Sequence, residues 1–310
     1  MLEFKNDTWR AVIALLLPMG LLAVFTFWPI VNAVRMAFMN GYTMWPGDYN
    51  GIGIDNFIQI VSPGEDGIWA AFSNDNSFWA ALLNTFYIVI ITVPLTIIIG
   101  LMIAVGLNSI KKLQKVYQTI FFLPYVTNTI ALGLVFSALF SRYGIINSVF
   151  GLDISWVGSN ATKFTGIFVL AIYSVWNGLA FKIIVFLSGM QGIDKQYYQA
   201  AQIDSATKWQ TFRKITVPLL SPMILYITIT SFIGAFKTYS SVVSIFGTGS
   251  YGPGSNPNLL RTVVGYIYDQ MTPALGQPIG LGAAGSLILF GIIMLITLVQ
   301  MQVSKKRVHY

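Results

Sequence analysis

The chain has 310 residues, of which 55% are hydrophobic and only 9% charged. Soluble domains carry about 25% charged residues, so this composition excludes an ordinary water-exposed globule and points to the bilayer, which roughly 20 apolar residues suffice to cross. Cysteine is absent and the single histidine, His309, is next to last, which excludes disulfides, thiolate metal sites, cysteine nucleophiles and a histidine cluster; the net charge of +7 fits a positive-inside bias rather than nucleic acid.

Six spans are expected, which makes the chain an all-α polytopic membrane protein. The first, Ala11–Val34, is longer than the roughly 7–15 apolar residues of a signal peptide and lacks a small-residue cleavage site, so it should stay as an anchor. A turn-rich segment from Asn40 to Ser77 follows. The second to fourth spans are Phe78–Leu107, Thr119–Phe140 and Phe164–Leu187; the fifth and sixth are Leu219–Val243 and Leu281–Val303.

Basic residues set the orientation. Lys5, Arg10, Lys111, Lys112, Lys115, Lys195, Lys208, Arg213, Lys214, Lys305, Lys306 and Arg307 fall on one side, and only Arg142, Lys163 and Arg261 on the other. The positive-inside rule therefore places both termini in the cytoplasm. Seven acids, among them Asp48, Glu65, Asp66 and Asp153, are then external. The outer run GTGSYGPGSNPN has no Lys-Ser/Thr after it and no strand before it, so it reads as a loop rather than a phosphate cradle.

All eleven acids lie outside the spans, which argues against a proton- or sodium-coupled carrier, since such carriers use intramembrane carboxylates. Lys182 is expected to snorkel toward the cytoplasm. Lys237 has two readings, snorkelling or lining a wet cavity beside Thr238 and Tyr239. Asn84, Tyr173, Trp176, Asn177 and Tyr239 also have two. Such amides and rings can bind a sugar, and they can equally bridge helices or anchor at the interface. Gly282, Gly285 and Gly291 read as close-packing positions.

Between the fourth and fifth spans lies YYQAAQIDSATKWQTFRKITVPLLSP, from Tyr197 to Pro222. Up to Gln202 it reads as a short helix, with Ala200 and Ala201 giving a face small enough for close approach. Asp204 and Ser205 make a turn, and Thr207 with Gln210 fits a capping box that starts a second helix. Trp209 and Phe212 then share one face of that helix. The pair could rest on anionic headgroups or dock a partner.

The stretch resembles the EAA loop of permease subunits of ABC importers. The residues that carry it are Ala200 and Ala201, then Ile203, Asp204 and Ala206, then Trp209 to Phe212, and the close ITVPLLSP from Ile215. Gln199 stands where the family usually has Glu, and Ser205 where it usually has Gly. LLNTFYIVIITVPLTIIIGLMIAVGLN and FFLPYVTNTIALGLVFSALFSRYGIINSVFG look like corresponding regions of maltose-type sugar permeases.

The resemblance implies a type I ABC importer-like fold. It makes residues 1–310 a single permease domain with its core at about 78–303 and a cytoplasmic coupling loop at about 191–217. It implies a subunit that translocates a di- or oligosaccharide, without catalytic residues or a cofactor of its own. Gln199, Ala200, Ala201, Asp204, Ser205, Ala206 and Trp209 would couple to the ATPase, and Asn84, Tyr173, Trp176, Asn177, Lys237 and Tyr239 would line the substrate pathway. The implied partners are a second homologous permease, two cytoplasmic ATPase subunits holding ATP and Mg, and an external solute-binding protein, all at a bacterial cytoplasmic membrane. Other readings are a permease for glycerol phosphate or another small polar solute, a secondary carrier, and an integral membrane enzyme.

Overall fold

The computed structural model describes residues 8–45, 47–64, 67–110, 114–247, 250–272 and 278–304. Lys5, Glu65, Asp66, Lys111, Lys112, Lys305, Lys306, Arg307 and His309 lie outside the described residues, so the charge bias read from them stays a sequence observation. Among the described residues four helices are long and apolar enough to span a bilayer: Val12–Phe38, Phe78–Ser109, Lys163–Gln191 and Gly280–Ser304. Two further helix pairs would each complete a span, but both are sharply bent.

The chain divides into two compact units, Met1–Ser62 with Ile267–Leu289, and Pro63–Tyr266 with Phe290–Tyr310. In the first, α1 (Thr8–Leu22) and α2 (Trp28–Phe38) are joined by a π-turn over Ala23–Phe27. Pro29 explains that turn, because a proline ring collides with the carbonyl four residues back and widens the ladder there. Trp28 accordingly donates its N–H five residues back, to Ala23. Leu17, Phe25 and Trp28 are exposed, and lipid is the solvent that tolerates such a surface.

After a two-stranded hairpin, β1 (Met39–Asn40) and β2 (Gly51–Ile52), α3 (Asp55–Val61) brings in Asn56. Its amide donates to the carbonyls of Ala37 and Met39 at 2.9 and 3.0 Å. A Cβ on Gly280 would lie 2.7 Å from the Asn56 Nδ2, so the backbone approaches only where no side chain exists.

The second unit holds α4 (Gly67–Ser73), α5 (Phe78–Ser109), α6 (Gln114–Val126), α7 (Thr129–Leu139), α8 (Ile145–Phe150) and α9 (Lys163–Gln191). The helices α10 (Lys195–Ile203), α11 (Lys208–Thr211), α12 (Val217–Leu219), α13 (Ser221–Phe236) and α14 (Ser240–Phe246) follow. Next along the chain come α15 (Val263–Met271) and α16 (Gly280–Ser304), each of which belongs partly to either unit. Helices α5 and α9 form the axis. One apolar cluster gathers Ile88, Leu170, Tyr173, Val242 and Ile245; a second gathers Ala104, Ile183, Phe186, Leu220 and Ile227.

Two of the six expected spans are broken. The third, Thr119–Phe140, bends by 97° between α6 and α7. Asn128 supplies the reason: its side-chain oxygen accepts the N–H groups of Ile130 and Ala131 and starts a new helix. The fifth, Leu219–Val243, does not run through to Val243. Helix α13 stops at Phe236, where Lys237 and Thr238 donate back to Gly234 and Ala235, and Thr262 Oγ1 donates to the Thr238 carbonyl at 2.8 Å. The chain restarts at Ser240.

Gly282 and Gly285 are closely packed, the former against Met271 and the latter against Ile267, whereas Gly291 faces open space. A tighter approach lies elsewhere: a Cβ on Gly133 would fall 2.0 Å from the Ser244 Oγ, which lets α7 and α14 touch.

Candidate functional site: a hydroxyl-lined cavity and a helical elbow

A cavity of about 560 Å³ opens between α5, α9, α13 and the bend of α6–α7. Helix α9 supplies Tyr173, Ser174, Asn177, Phe181 and Lys182. The three- and four-residue steps from Tyr173 and Ser174 to Asn177 and on to Phe181 keep those four on one helical face, and Lys182 lies at its edge. Helix α5 adds Thr92 and Thr96, each bonded back to the carbonyl four residues earlier. Thr230, Ser231, Lys237, Thr238 and Tyr239 close the wall.

Two of these residues also hold the break of the third span. Asn177 donates to the Pro124 carbonyl at 3.3 Å, and Tyr173 OH donates to the Thr129 carbonyl at 3.2 Å. Ending α6 frees the carbonyls of its last turn, Pro124 among them, which in a membrane must find donors. The Tyr173 bond holds the first turn of α7 instead. Tyr173 also meets Phe136 edge-on, with centroids 5.2 Å apart.

Of the six pathway candidates, Tyr173, Asn177, Lys237 and Tyr239 line this cavity. Asn84 is not among its lining residues. It is 1% exposed, and its amide donates to the carbonyls of Arg261 and Leu259 at 3.1 and 3.3 Å. It pins the loop from Leu259 to Val263 together with Thr85, which accepts the Val263 N–H. Trp176 points to a different, apolar surface with Tyr87, Ile91 and Leu95.

Lys182 does not run toward the C-terminal end of α9, the direction that the expected snorkelling requires. Helical side chains lean toward the N-terminus, and its ammonium bonds the Gly178 carbonyl at 3.3 Å, inside the cavity. Composition and motifs do not single out the hydroxyls of Thr92, Thr96, Thr129, Ser174, Thr230 and Ser231, which also line the cavity. The four-residue spacing of Thr92 and Thr96, and the three-residue spacing of Ser174 and Asn177, is the signal that could have found several of them.

The second feature is the elbow after α9. Asp194 caps α10 through the Gln196 N–H at 2.9 Å. Asp204 ends the helix, and Ser205 takes φ +54°, the one positive φ among described non-glycine residues. Ala206 then donates to the Ala201 carbonyl at 2.9 Å. Thr207 and Gln210 form a reciprocal capping box that starts α11. A second π-turn over Phe212–Thr216 precedes Pro218, for the same reason as the one before Pro29.

The elbow has two faces. Ala201 is buried, and Tyr198 OH meets Thr216 Oγ1 at 3.3 Å, so this face packs on the chain itself. Gln199, Ala200, Asp204, Ser205 and Trp209 are exposed, with Ile203 at 84% and Trp209 at 66%. The two alanines therefore diverge: Ala200 faces outward and Ala201 inward, as neighbours on a helix must. Ala206 is half-buried.

Beyond α7, Arg142 and Asp153 form a two-point ion pair at 2.8 and 2.9 Å. The guanidinium's hydrogen bonds hold the Asp153 carboxyl below its ordinary range. Among the described residues no group of three or more His, Cys, Asp or Glu could hold a metal.

A family model described as the inner membrane component of binding-protein-dependent transport systems matches residues 67–309. The chain belongs to this family. The chain is 30% identical over 284 residues to the arabinooligosaccharides transport system permease protein AraP of Halalkalibacterium halodurans, covering 90% of this chain and 82% of that one. It is also 30% identical to the lactose transport system permease protein LacF of Rhizobium radiobacter, covering 81% and 79%. A bacterial ABC transporter that imports the acidic polysaccharide alginate contains a chain of the same fold, with TM-score 0.77, 20% identity, and 98% and 97% of the two chains covered. The fold is therefore that of a type I importer permease, and a permease of this family is a multi-pass membrane protein that works with a binding protein.

Proposed function

We propose that this chain is the permease subunit of an ATP-driven importer that brings a di- or oligosaccharide into the cytoplasm. The observation that carries the reading is the cavity at the broken spans, where hydroxyls, amides and aromatic rings meet within about 560 Å³. Hydroxyls and the Asn177 amide suit sugar OH groups, and the ring of Tyr239 suits an apolar sugar face. The sugar permeases among its relatives support the substrate class.

The chain is one permease domain over residues 1–310, with its core at about 78–303 and a coupling loop at about 191–217. Both termini lie in the cytoplasm by charge bias. A second homologous permease completes the pathway, two ATPase subunits supply ATP and Mg chemistry, and an external binding protein delivers the sugar. The exposed face of the elbow, Gln199, Ala200, Asp204, Ser205 and Trp209, seats in the ATPase, while Ala201 and Ala206 shape the turn from within. Closure of the ATPase dimer moves the elbow, and the π-turn before Pro218 links that movement to α13. Two states then exchange because ATP and sugar bind them with different affinity.

Purification from native membranes in mild detergent, followed by uptake in proteoliposomes, tests this. The chain should bring an ATPase with it and take up saccharide only when ATP is supplied. A chain that purifies alone and transports without ATP is a carrier, and the proposal then fails.

A further inference from the structure

Lys182 and Lys237, both lysines of the membrane interior, line the same cavity. Lys182 lies beyond the middle of α9, and its ammonium turns back to the Gly178 carbonyl. Lys237 is the exposed C-cap of α13. No Asp or Glu is among the lining residues, and all eleven acids of the chain fall outside the expected spans. Among the described residues the Lys182 ammonium makes that one hydrogen bond, and an ammonium can donate three.

Charge inside a bilayer is costly, and cations held there face a partner or a wet path. A neutral sugar needs neither lysine, because the hydroxyls of Thr92, Thr96, Thr230 and Ser231 already offer donors and acceptors. Two unneutralised cations in the wall would only cost desolvation for such a cargo. They gain their strongest partner from an anion, through charge-assisted hydrogen bonds.

We infer that the cavity passes a saccharide or polyol that carries an anionic group, a carboxylate or a phosphate. The inference rests on the proposed transport of a hydroxyl-rich, carbohydrate-type solute, and it specifies the charge of that solute. Lys237 receives the anionic group at the end of α13, and Lys182 receives it further along the wall, with the threonines holding the neutral hydroxyls between.

The test uses the whole importer as the cell's sole uptake route. Labelled digalacturonate and glucuronate form the carboxylate arm. Glucose 6-phosphate and glycerol 3-phosphate form the phosphate arm, and galactobiose, maltose and arabinobiose the neutral arm. Uptake in one anionic arm, lowered about tenfold or more in Lys237→Gln and in Lys182→Gln but retained in Lys182→Arg, is the expected result, as for loss of a charge-assisted bond. The responding arm tells carboxylate from phosphate. If Lys182→Gln does not reach the membrane, Lys237→Gln decides alone, because an exposed cap is not needed for folding. Uptake confined to neutral saccharides, unchanged in Lys237→Gln, overturns the inference and leaves the carbohydrate reading standing. Uptake in none of the three arms overturns both. Loss of the second permease from purified Lys182→Gln, with Lys182→Arg intact, also overturns it, because the lysine then pairs with a neighbouring subunit.

Discussion

The side-chain amide of Asn177 donates to the carbonyl of Pro124, 3.3 Å away in the last turn of α6. One bond thus ties the straight helix α9 to the point where the third span breaks, and it does so in the wall of the cavity. Asn177→Leu keeps the volume but leaves that carbonyl without its donor. The expected loss is about 1 kcal/mol, the low end for an orphaned polar group because cavity water reaches it. Thermal unfolding of the purified importer should show a lower midpoint, with slower sugar uptake. An unchanged midpoint would mean that the bend holds without this bond.

At the elbow, Ser205 adopts φ +54°, a conformation that costs a residue with a Cβ about 1–2 kcal/mol. Ser205→Gly should therefore make the loop more resistant to limited trypsin cleavage, at Lys195 or Lys208. Ser205→Val should make it more sensitive, since β-branched residues tolerate positive φ worst. Equal cleavage of both variants would argue against strain at this residue.

The two alanines of the elbow should respond differently. Ala200 is exposed, so Ala200→Glu is expected to leave the folded chain in the membrane and to abolish recovery of the ATPase with it. Ala201 is 6% exposed, so Ala201→Glu buries an unpaired charge and should lower the yield of folded chain itself. Fluorescence-detected size-exclusion chromatography, read beside ATPase recovery, separates the two outcomes.

Gly133 and Gly291 make a matched pair. A Cβ on Gly133 would lie 2.0 Å from the Ser244 Oγ, whereas one on Gly291 meets nothing within 4 Å. Gly133→Ala should destabilise by about 1–3 kcal/mol or more through overpacking of α7 on α14. Gly291→Ala should be neutral or stabilise by up to about 1 kcal/mol, from helix propensity. Detergent melting curves of the two variants check both signs.

Length and apolar composition made the helical, membrane-spanning class legible, because a bilayer admits few ways to satisfy a backbone. The elbow was legible too, since Thr207 with Gln210, and Asp204 with Ser205, act within a few residues of chain. The breaks were harder to read. Asn128 looks like any polar residue in an apolar run until its side chain is seen accepting the N–H groups of Ile130 and Ala131. The end of α13 at Phe236 depends partly on Thr262, which reaches the Thr238 carbonyl from 24 residues away.

By itself, the sequence determined where apolar runs lie, which residues cap helices and which stretch turns, because those effects are local and periodic. Only the tertiary structure decided which polar groups meet. It sent the Asn84 amide into a loop anchor and turned Trp176 onto an apolar face. It also brought Lys182 and Lys237 to one cavity from helices that the sequence separates by 55 positions. The physical reason is that a residue's facing on a long apolar helix is fixed by the neighbour it packs on, and here the helix carries almost no amphipathic pattern to announce it.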